Sequence, residues 1–155
     1  MRAYSKEDKL VLDTSVFIEY IVRRALYRGI VERLFNKADV GRIKLYTTPV
    51  TLSETLYIAS RIYEAASEED PNRLAADYIK WIRERVSVIE FSNEVIFGAG
   101  ELKKTLHLAL PDCYVIASAS AVDGTPLFRS IEREMKPVLN KLRVYGVKFL
   151  EELKI

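Results

Sequence analysis

Four acids stand at positions where an alternating chain of strands and helices could gather carboxylates: Asp13, Glu54, Asp112 and Glu132. Clustered carboxylates repel one another and are costly to hold ionised unless a cation sits among them. A donor set made only of oxygens suits Mg²⁺ or Mn²⁺ rather than Zn²⁺. Such a cation lowers the pKa of a water it binds and neutralises charge on a phosphate. The chemistry open to this set is attack of an activated water on a phosphate group.

Each acid also has an ordinary structural role open to it. Asp13 ends the apolar run Lys9-Leu10-Val11-Leu12 and suits the N-cap of a helix starting near Ser15. Asp112 follows Pro111 at the head of an apolar helix, where the helix dipole favours an acid by roughly 0.3–1 kcal/mol. Glu54 lies inside a helix that could simply present it to solvent, and Glu132 sits among Arg129, Arg133, Glu134 and Lys136 on what could be a solvated charged face. Taken together they carry more weight, because three of the four fall at or just beyond strand ends or helix starts.

The elements that would position them alternate along the chain. Lys9 to Asp13 reads as a buried strand, and Ser15 to Ala38 has helical apolar spacing, broken near Gly29 or into two helices. Ile43 to Thr47 is a second strand. Thr48-Pro49 opens a helix to about Ala66 that is expected to bury Leu52, Leu56, Ala59 and Ile62. Asp70-Pro71 repeats the start signal for a helix with Leu74, Tyr78, Ile82 and Val86 on one face. Strands are expected over Val86–Phe91, Pro126–Arg129 and Val144–Leu150, and helices over Asn93–Leu106 and from Pro111 to about Val122. Strands separated by helices imply a central parallel sheet of about five strands in a three-layer α/β/α arrangement, with ligands bound at the carboxyl ends of the strands where strand order switches. No linker or repeat divides residues 1–155, so a single domain is expected.

Several other chemistries lack their residues. The one histidine, His107, excludes an acid–base pair of histidines, and the single cysteine, Cys113, lies in an apolar stretch with no basic neighbour and reads as a core filler. Gly98-Ala99-Gly100 lacks the context of a dinucleotide loop. The net charge of +2 does not by itself announce a nucleic-acid binder, so any basic surface must be local. One cysteine, a polar Met1–Lys9 and the lack of a long apolar run point to a cytoplasmic protein with no membrane partner. The chain has no glutamine and four asparagines but is rich in Glu, Lys, Arg and Tyr, a profile of proteins from hot habitats.

The acid-bearing segments resemble those of the PIN-domain family, and within it the small VapC-like toxins. Val11-Leu12-Asp13-Thr14-Ser15-Val16-Phe17-Ile18 is similar to the family's opening strand and first acid. Thr47-Thr48-Pro49-Val50-Thr51-Leu52-Ser53-Glu54 is similar to the segment that delivers the second, and Leu110-Pro111-Asp112-Cys113-Tyr114-Val115-Ile116-Ala117 resembles the third. The fourth signature, a Ser or Thr followed two residues on by Asp and then by an aromatic, is met by Ser130, Glu132 and Met135, with Glu for Asp and Met for the aromatic. The resemblance covers essentially the whole chain. It implies a Mg²⁺- or Mn²⁺-dependent endoribonuclease with Asp13, Glu54, Asp112 and Glu132 as catalytic metal ligands, supported by Ser15 and Ser130. It also implies RNA as substrate, a cognate antitoxin as partner, a type II toxin–antitoxin system as context, and a homodimer.

Rival readings differ in what they require. A phosphatase with an aspartate nucleophile needs a second Asp two residues after Asp13, where Ser15 stands. A degenerate PIN fold acting as a scaffold would bind no metal, and a PIN processing nuclease would lack an adjacent antitoxin. For RNA phosphates the candidates are Arg23, Arg24, Arg28, Lys103, Lys104, Arg129 and Arg133, with ordinary solvated charge as the alternative for each. Tyr57, Tyr63 and Tyr114 are candidates for base stacking, and equally for core or interface packing.

Overall fold

The computed structural model describes residues 3–153; Met1, Arg2, Lys154 and Ile155, which the single-domain expectation includes, lie outside the described residues. Strands β1 (Lys9–Leu12), β2 (Lys44–Thr47), β3 (Ser87–Val88), β4 (Thr125–Phe128) and β5 (Lys148–Phe149) form one parallel sheet in the order β3-β2-β1-β4-β5. Helices α1 (Thr14–Ile21), α2 (Arg28–Asp39), α3 (Pro49–Ala65), α4 (Pro71–Arg83), α5 (Asn93–Leu106), α6 (Leu110–Ala121) and α7 (Leu139–Val144) cover both faces.

The layering follows from the two-residue alternation of a strand. Val11 points into a core with Phe128 and Phe149, covered by Val95, Ala99 and Leu102 of α5 and Ile116 of α6. Its neighbours Leu10 and Leu12 point the other way, into a core built from Val16 and Phe17 of α1, Leu34 and Phe35 of α2, and Ala59, Ala75 and Ile82 of α3 and α4. Both faces of β1 are therefore dry, as its continuous apolar run requires.

The chain leaves β1 for β2 and β3 on one side, then returns to place β4 on the other side of β1. The carboxyl ends of β1 and β4 are thus the switch point of the sheet. Register places Leu12 opposite Leu127, so Asp13 leaves β1 level with Phe128, one residue before Arg129, and the Asp13 amide donates to Leu127 O at 3.0 Å. That bond turns Leu127 toward β1 and its neighbour Pro126 toward β5, whose pairing begins only at Leu127–Lys148. A proline is tolerated there because no ladder bond is lost.

Element boundaries depart from the sequence expectation in specific ways. The break after the first strand falls at Val22–Tyr27, not Gly29, which lies in the first turn of α2. β3 is two residues rather than six, since it is an edge strand that reaches only Tyr46 and Thr47 of β2. β4 begins and ends one residue early, at Thr125 and Phe128. β5 is confined to Lys148–Phe149 because α7 persists to Val144 and Gly146 turns the chain at φ 77°. Leu56 and Leu74, expected in the core, are exposed.

Candidate active site

Asp13 follows β1 directly and is 6% exposed. Its carboxylate caps α1: Oδ2 accepts the Ser15 amide at 3.0 Å and the Ser15 hydroxyl at 2.6 Å. Ser15 Oγ in turn accepts the Arg129 amide at 3.0 Å, which binds the end of β4 to the first turn of α1.

Buried threonines stitch the other side of this edge. Thr47 Oγ1 donates to Leu12 O at 3.1 Å, and Thr14 Oγ1 to Thr51 O at 3.4 Å. Thr48 caps α3 by accepting the Thr51 amide at 3.0 Å, with Pro49 following at the start of the helix. This fixes α3 against α1 and sets Glu54, half-buried, a turn and a half beyond the cap. Asp112 lies in the first turn of α6 and is half-buried. Glu132 is exposed on the segment after β4.

The charges of these acids act on Asp13, Asp112 and Glu132. Burial holds the Asp13 carboxyl above its ordinary 3.8, helped by Glu54 and opposed by the hydrogen bonds from Ser15. Burial, then the charges of Asp13, Glu132, Glu54 and Glu134, push Asp112 up to about 8. Desolvation, then Asp13, Glu134 and Glu54, raise Glu132. Glu134 thus acts on Asp112 and Glu132 but is not among the groups acting on Asp13. The acids lie within electrostatic reach rather than in contact: among the described residues, no three of them close on a common point as a ready-made cation cage.

The cationic candidates divide. Arg23, Arg24 and Arg133 are exposed. Arg129 is half-buried and paired: its Nε donates to Glu19 Oε1 at 2.7 Å, and its guanidinium lies 5.3 Å from the Tyr27 ring centre. Arg28 lies over Tyr20 and donates to Tyr20 O at 2.9 Å. Lys103 Nζ donates to Leu108 O at 2.6 Å, and Lys104 pairs with Glu101. Ser130 Oγ accepts from Arg129 Nη1 at 3.3 Å.

Of the tyrosines, Tyr114 is stacked on Phe91 with ring centres 4.3 Å apart. Tyr63 lines a cavity of about 480 Å³ with Tyr20, Arg23, Tyr78 and Trp81, and the acids are not part of its wall. Tyr57 is exposed. Cys113 is buried, and burial pushes its thiol up to about 11, which makes it the inert core residue expected. His107 is exposed at the end of α5, in the left-handed region at φ 57°.

Glu19 is the residue that sequence reasoning missed. It is 5% exposed and accepts from both Arg129 and the Tyr27 amide. Its signal was available: a lone acid inside Val16-Phe17-Ile18-Glu19-Tyr20-Ile21.

Solved structures share this architecture. VapBC-1 from nontypeable Haemophilus influenzae aligns at a TM-score of 0.64 with 16% identity, over 93% of this chain and 99% of that one. VapBC2 from Rickettsia felis, bound to a DNA fragment from its promoter, gives 0.62 and 19% identity, over 83% and 92%. PAE2754 from Pyrobaculum aerophilum gives 0.58 and 17%, over 92% and 90%. At such identities the likeness is one of fold. A comparison of the sequence with curated proteins finds no match. The family model for the PIN domain matches residues 10–133, from the first residues of β1 past Glu132, and on that match the chain belongs to the PIN domain family, a family of nucleases.

Proposed function

We propose that this chain is a Mg²⁺- or Mn²⁺-dependent endoribonuclease, the toxin of a type II toxin–antitoxin pair, acting on single-stranded RNA in the cytoplasm. The observation that carries the reading is the mutual electrostatic action of Asp13, Glu54, Asp112 and Glu132 at the switch point of the sheet. An Asp112 pushed to about 8 marks a site where negative charge is in excess and a cation is the natural counterweight. The donor set is all oxygen, which fits a hard divalent ion. The residues proposed to hold it are Asp13 and Asp112, with Glu54 and Glu132 completing the acidic ring. When bound, the ion supplies a Lewis acid that activates water and neutralises charge on the phosphate.

The chain's own residues supply the rest. Ser15 holds the Asp13 carboxylate in one orientation through Oδ2. Ser130, two residues before Glu132, accepts from Arg129 Nη1 at 3.3 Å. Arg23, Arg24 and Arg133, all exposed, are the proposed contacts for RNA phosphates. The toxin role draws on the fold likeness to the two VapBC structures. A cognate antitoxin and a second copy of the chain are the proposed protein partners.

The test is cleavage of single-stranded RNA by purified protein in Mn²⁺, with EDTA as control. Water as nucleophile leaves 5′-phosphate and 3′-hydroxyl ends, whereas 2′,3′-cyclic phosphates would identify the substrate's own 2′-hydroxyl as nucleophile and overturn the reading. A folded protein that binds no Mn²⁺ and cuts nothing would assign a scaffold role instead. An antitoxin gene beside this one would separate the toxin from a processing nuclease.

A further inference from the structure

The acidic ring leaves one buried charge unexplained. Glu19 sits in the middle of apolar α1 with both carboxylate oxygens taken: Oε2 accepts the Tyr27 amide at 2.8 Å and Oε1 accepts Arg129 Nε at 2.7 Å. Withdrawing a carboxylate from water is costly even when it is paired, and replacing buried ion pairs by well-packed apolar groups is often neutral or stabilising. Stability alone is therefore a weak reason for the pair.

Its consequence at the site is specific. Arg129 is the first residue after β4, and Glu19 fixes its side chain while its backbone amide donates to Ser15 Oγ. A serine hydroxyl has a single proton. With Ser15 Oγ already accepting from Arg129, that proton is directed to Asp13 Oδ2, 2.6 Å away. The bonds run in one direction, from the Arg129 amide through the Ser15 hydroxyl to the Asp13 carboxylate. The guanidinium also donates to Ser130 Oγ, so Arg129 touches both hydroxyls, that of Ser15 through its amide and that of Ser130 through its side chain.

We infer that Glu19 and Arg129 are a pair of positioning residues that hold the Ser15 hydroxyl, and through it the Asp13 carboxylate, in the orientation that receives the cation. The inference rests on the metal-dependent reading above. It gives Arg129, whose side chain is 38% exposed, a positioning role.

The test uses Arg129→Lys, which keeps a cation beside Glu19 but loses the planar fork, together with Glu19→Gln and Ser15→Ala in the full chain. Amide hydrogen exchange of the metal-free protein reads the pair without any metal. Exchange at Arg129 and Ser15 is expected to rise at least tenfold while that at Val11 is unchanged. Calorimetric titration with Mn²⁺ reads the consequence: groups that orient a ligand typically contribute about 10- to 100-fold to metal affinity, and a loss in that range is expected for both pair variants. Combined with Ser15→Ala, Arg129→Lys is expected to add no further loss, because both act through the same hydroxyl.

Unchanged exchange at the two amides overturns the inference. So does a folded Arg129→Lys that binds Mn²⁺ like the unmodified protein, or whose loss simply adds to that of Ser15→Ala. A raised KM for RNA with kcat and Mn²⁺ affinity intact would return Arg129 to the substrate. Should Glu19→Gln fail to fold, Arg129→Lys decides alone. An unmodified protein that binds no Mn²⁺ sinks the metal reading itself, and the exchange pattern then decides whether the pair holds Ser15.

Discussion

Asp13 Oδ2 accepts two hydrogen bonds from Ser15, one from its amide at 3.0 Å and one from its hydroxyl at 2.6 Å. Helix capping and cation binding are therefore not rival roles for Asp13, because both bonds from Ser15 fall on one of its two oxygens. Asparagine caps helices as well as aspartate does. Asp13→Asn is expected to retain the fold and melt within a few degrees of the unmodified protein, while RNA cleavage in Mn²⁺ falls below detection. Asp112→Asn is expected to lose cleavage in the same way, while its melting temperature in EDTA at neutral pH is equal to or above that of the unmodified protein, because the raised carboxyl weighs against folding there. Circular dichroism melts beside a gel assay check both, and cleavage that survives in either folded variant contradicts the proposed ligand set.

Asp112 also makes a pH prediction for the metal-free protein. Its carboxyl titrates near 8 when folded and near 3.8 in an unfolded chain. The folded state holds the proton more tightly, so Asp112 contributes stability that is fully present below about pH 4 and is lost as the pH rises toward 8. In EDTA the melting temperature is expected to fall across that window more steeply than in Asp112→Asn. Mn²⁺, which binds the ionised form, is expected to reverse the trend and to release protons on binding. Parallel pH profiles for the two proteins would show that Asp112 is not so perturbed.

The contrast between Asp13 and Glu19 explains how much of this was legible in the sequence. Asp13 ends a short apolar run, and the alternation of strands and helices places such an acid at the ligand-binding edge of a parallel sheet. The sheet and its five parallel strands followed from that logic, and so did the choice of Asp13, Glu54, Asp112 and Glu132 as candidates. Glu19 did not, because its partner Arg129 lies 110 residues away and pairing at that range leaves no local trace. The pairing of Arg129 was not foreseen for the same reason. β3 and β5 came out shorter than their apolar runs because an edge strand extends only as far as its neighbour accepts hydrogen bonds.

The fourth acid is longer than the family pattern provides. Glu132 is exposed, yet Asp13 and Glu54 both raise its carboxyl, and Asp112 feels it in return. We propose that its carboxylate holds the ion through water, which Mg²⁺ accommodates because it keeps several waters. Glu132→Gln is expected to lower cleavage roughly 10- to 100-fold, with partial recovery at millimolar Mn²⁺. Glu134→Gln is expected to change little, since Glu132 and not Glu134 stands two residues after Ser130, the spacing of the family's fourth acid. Equal losses in the two variants would move the fourth position away from Glu132.

A chain without glutamine, with 24 basic and 22 acidic residues, is expected to unfold well above the ~45–65 °C of ordinary domains. Calorimetry reads this directly, and a midpoint inside that range removes the hot-habitat reading.

The last prediction concerns the face made by α3 and α4. Not all the apolar residues there are surplus: Trp81 and Tyr78 turn inward and stack with Tyr20, and Phe35 meets Trp81 edge-on at 4.8 Å. The remainder is Leu56, Tyr57 and Leu74, with Tyr57 61% exposed. Leu56 and Tyr57 line a shallow cavity of about 390 Å³ with Ser53, Ser60, Asn72 and Ala76, between the two helices. A tyrosine beside a leucine and an apolar hollow is the composition of an interface centre rather than of a solvated helix. Helix formation alone does not require them, since α3 already buries Thr51, Thr55 and Ala59 on its inner face. The unmodified protein is therefore expected to run as a dimer in light scattering. Tyr57→Glu, which leaves the inner face untouched, is expected to make it a monomer without lowering its melting temperature by more than the lost association accounts for. A central interface tyrosine typically contributes about 2 kcal/mol or more, so the dissociation constant should weaken at least about 30-fold. An unmodified protein that stays monomeric at high concentration contradicts the dimer, and binding of the antitoxin weakened by Tyr57→Glu would then assign this face to that partner instead.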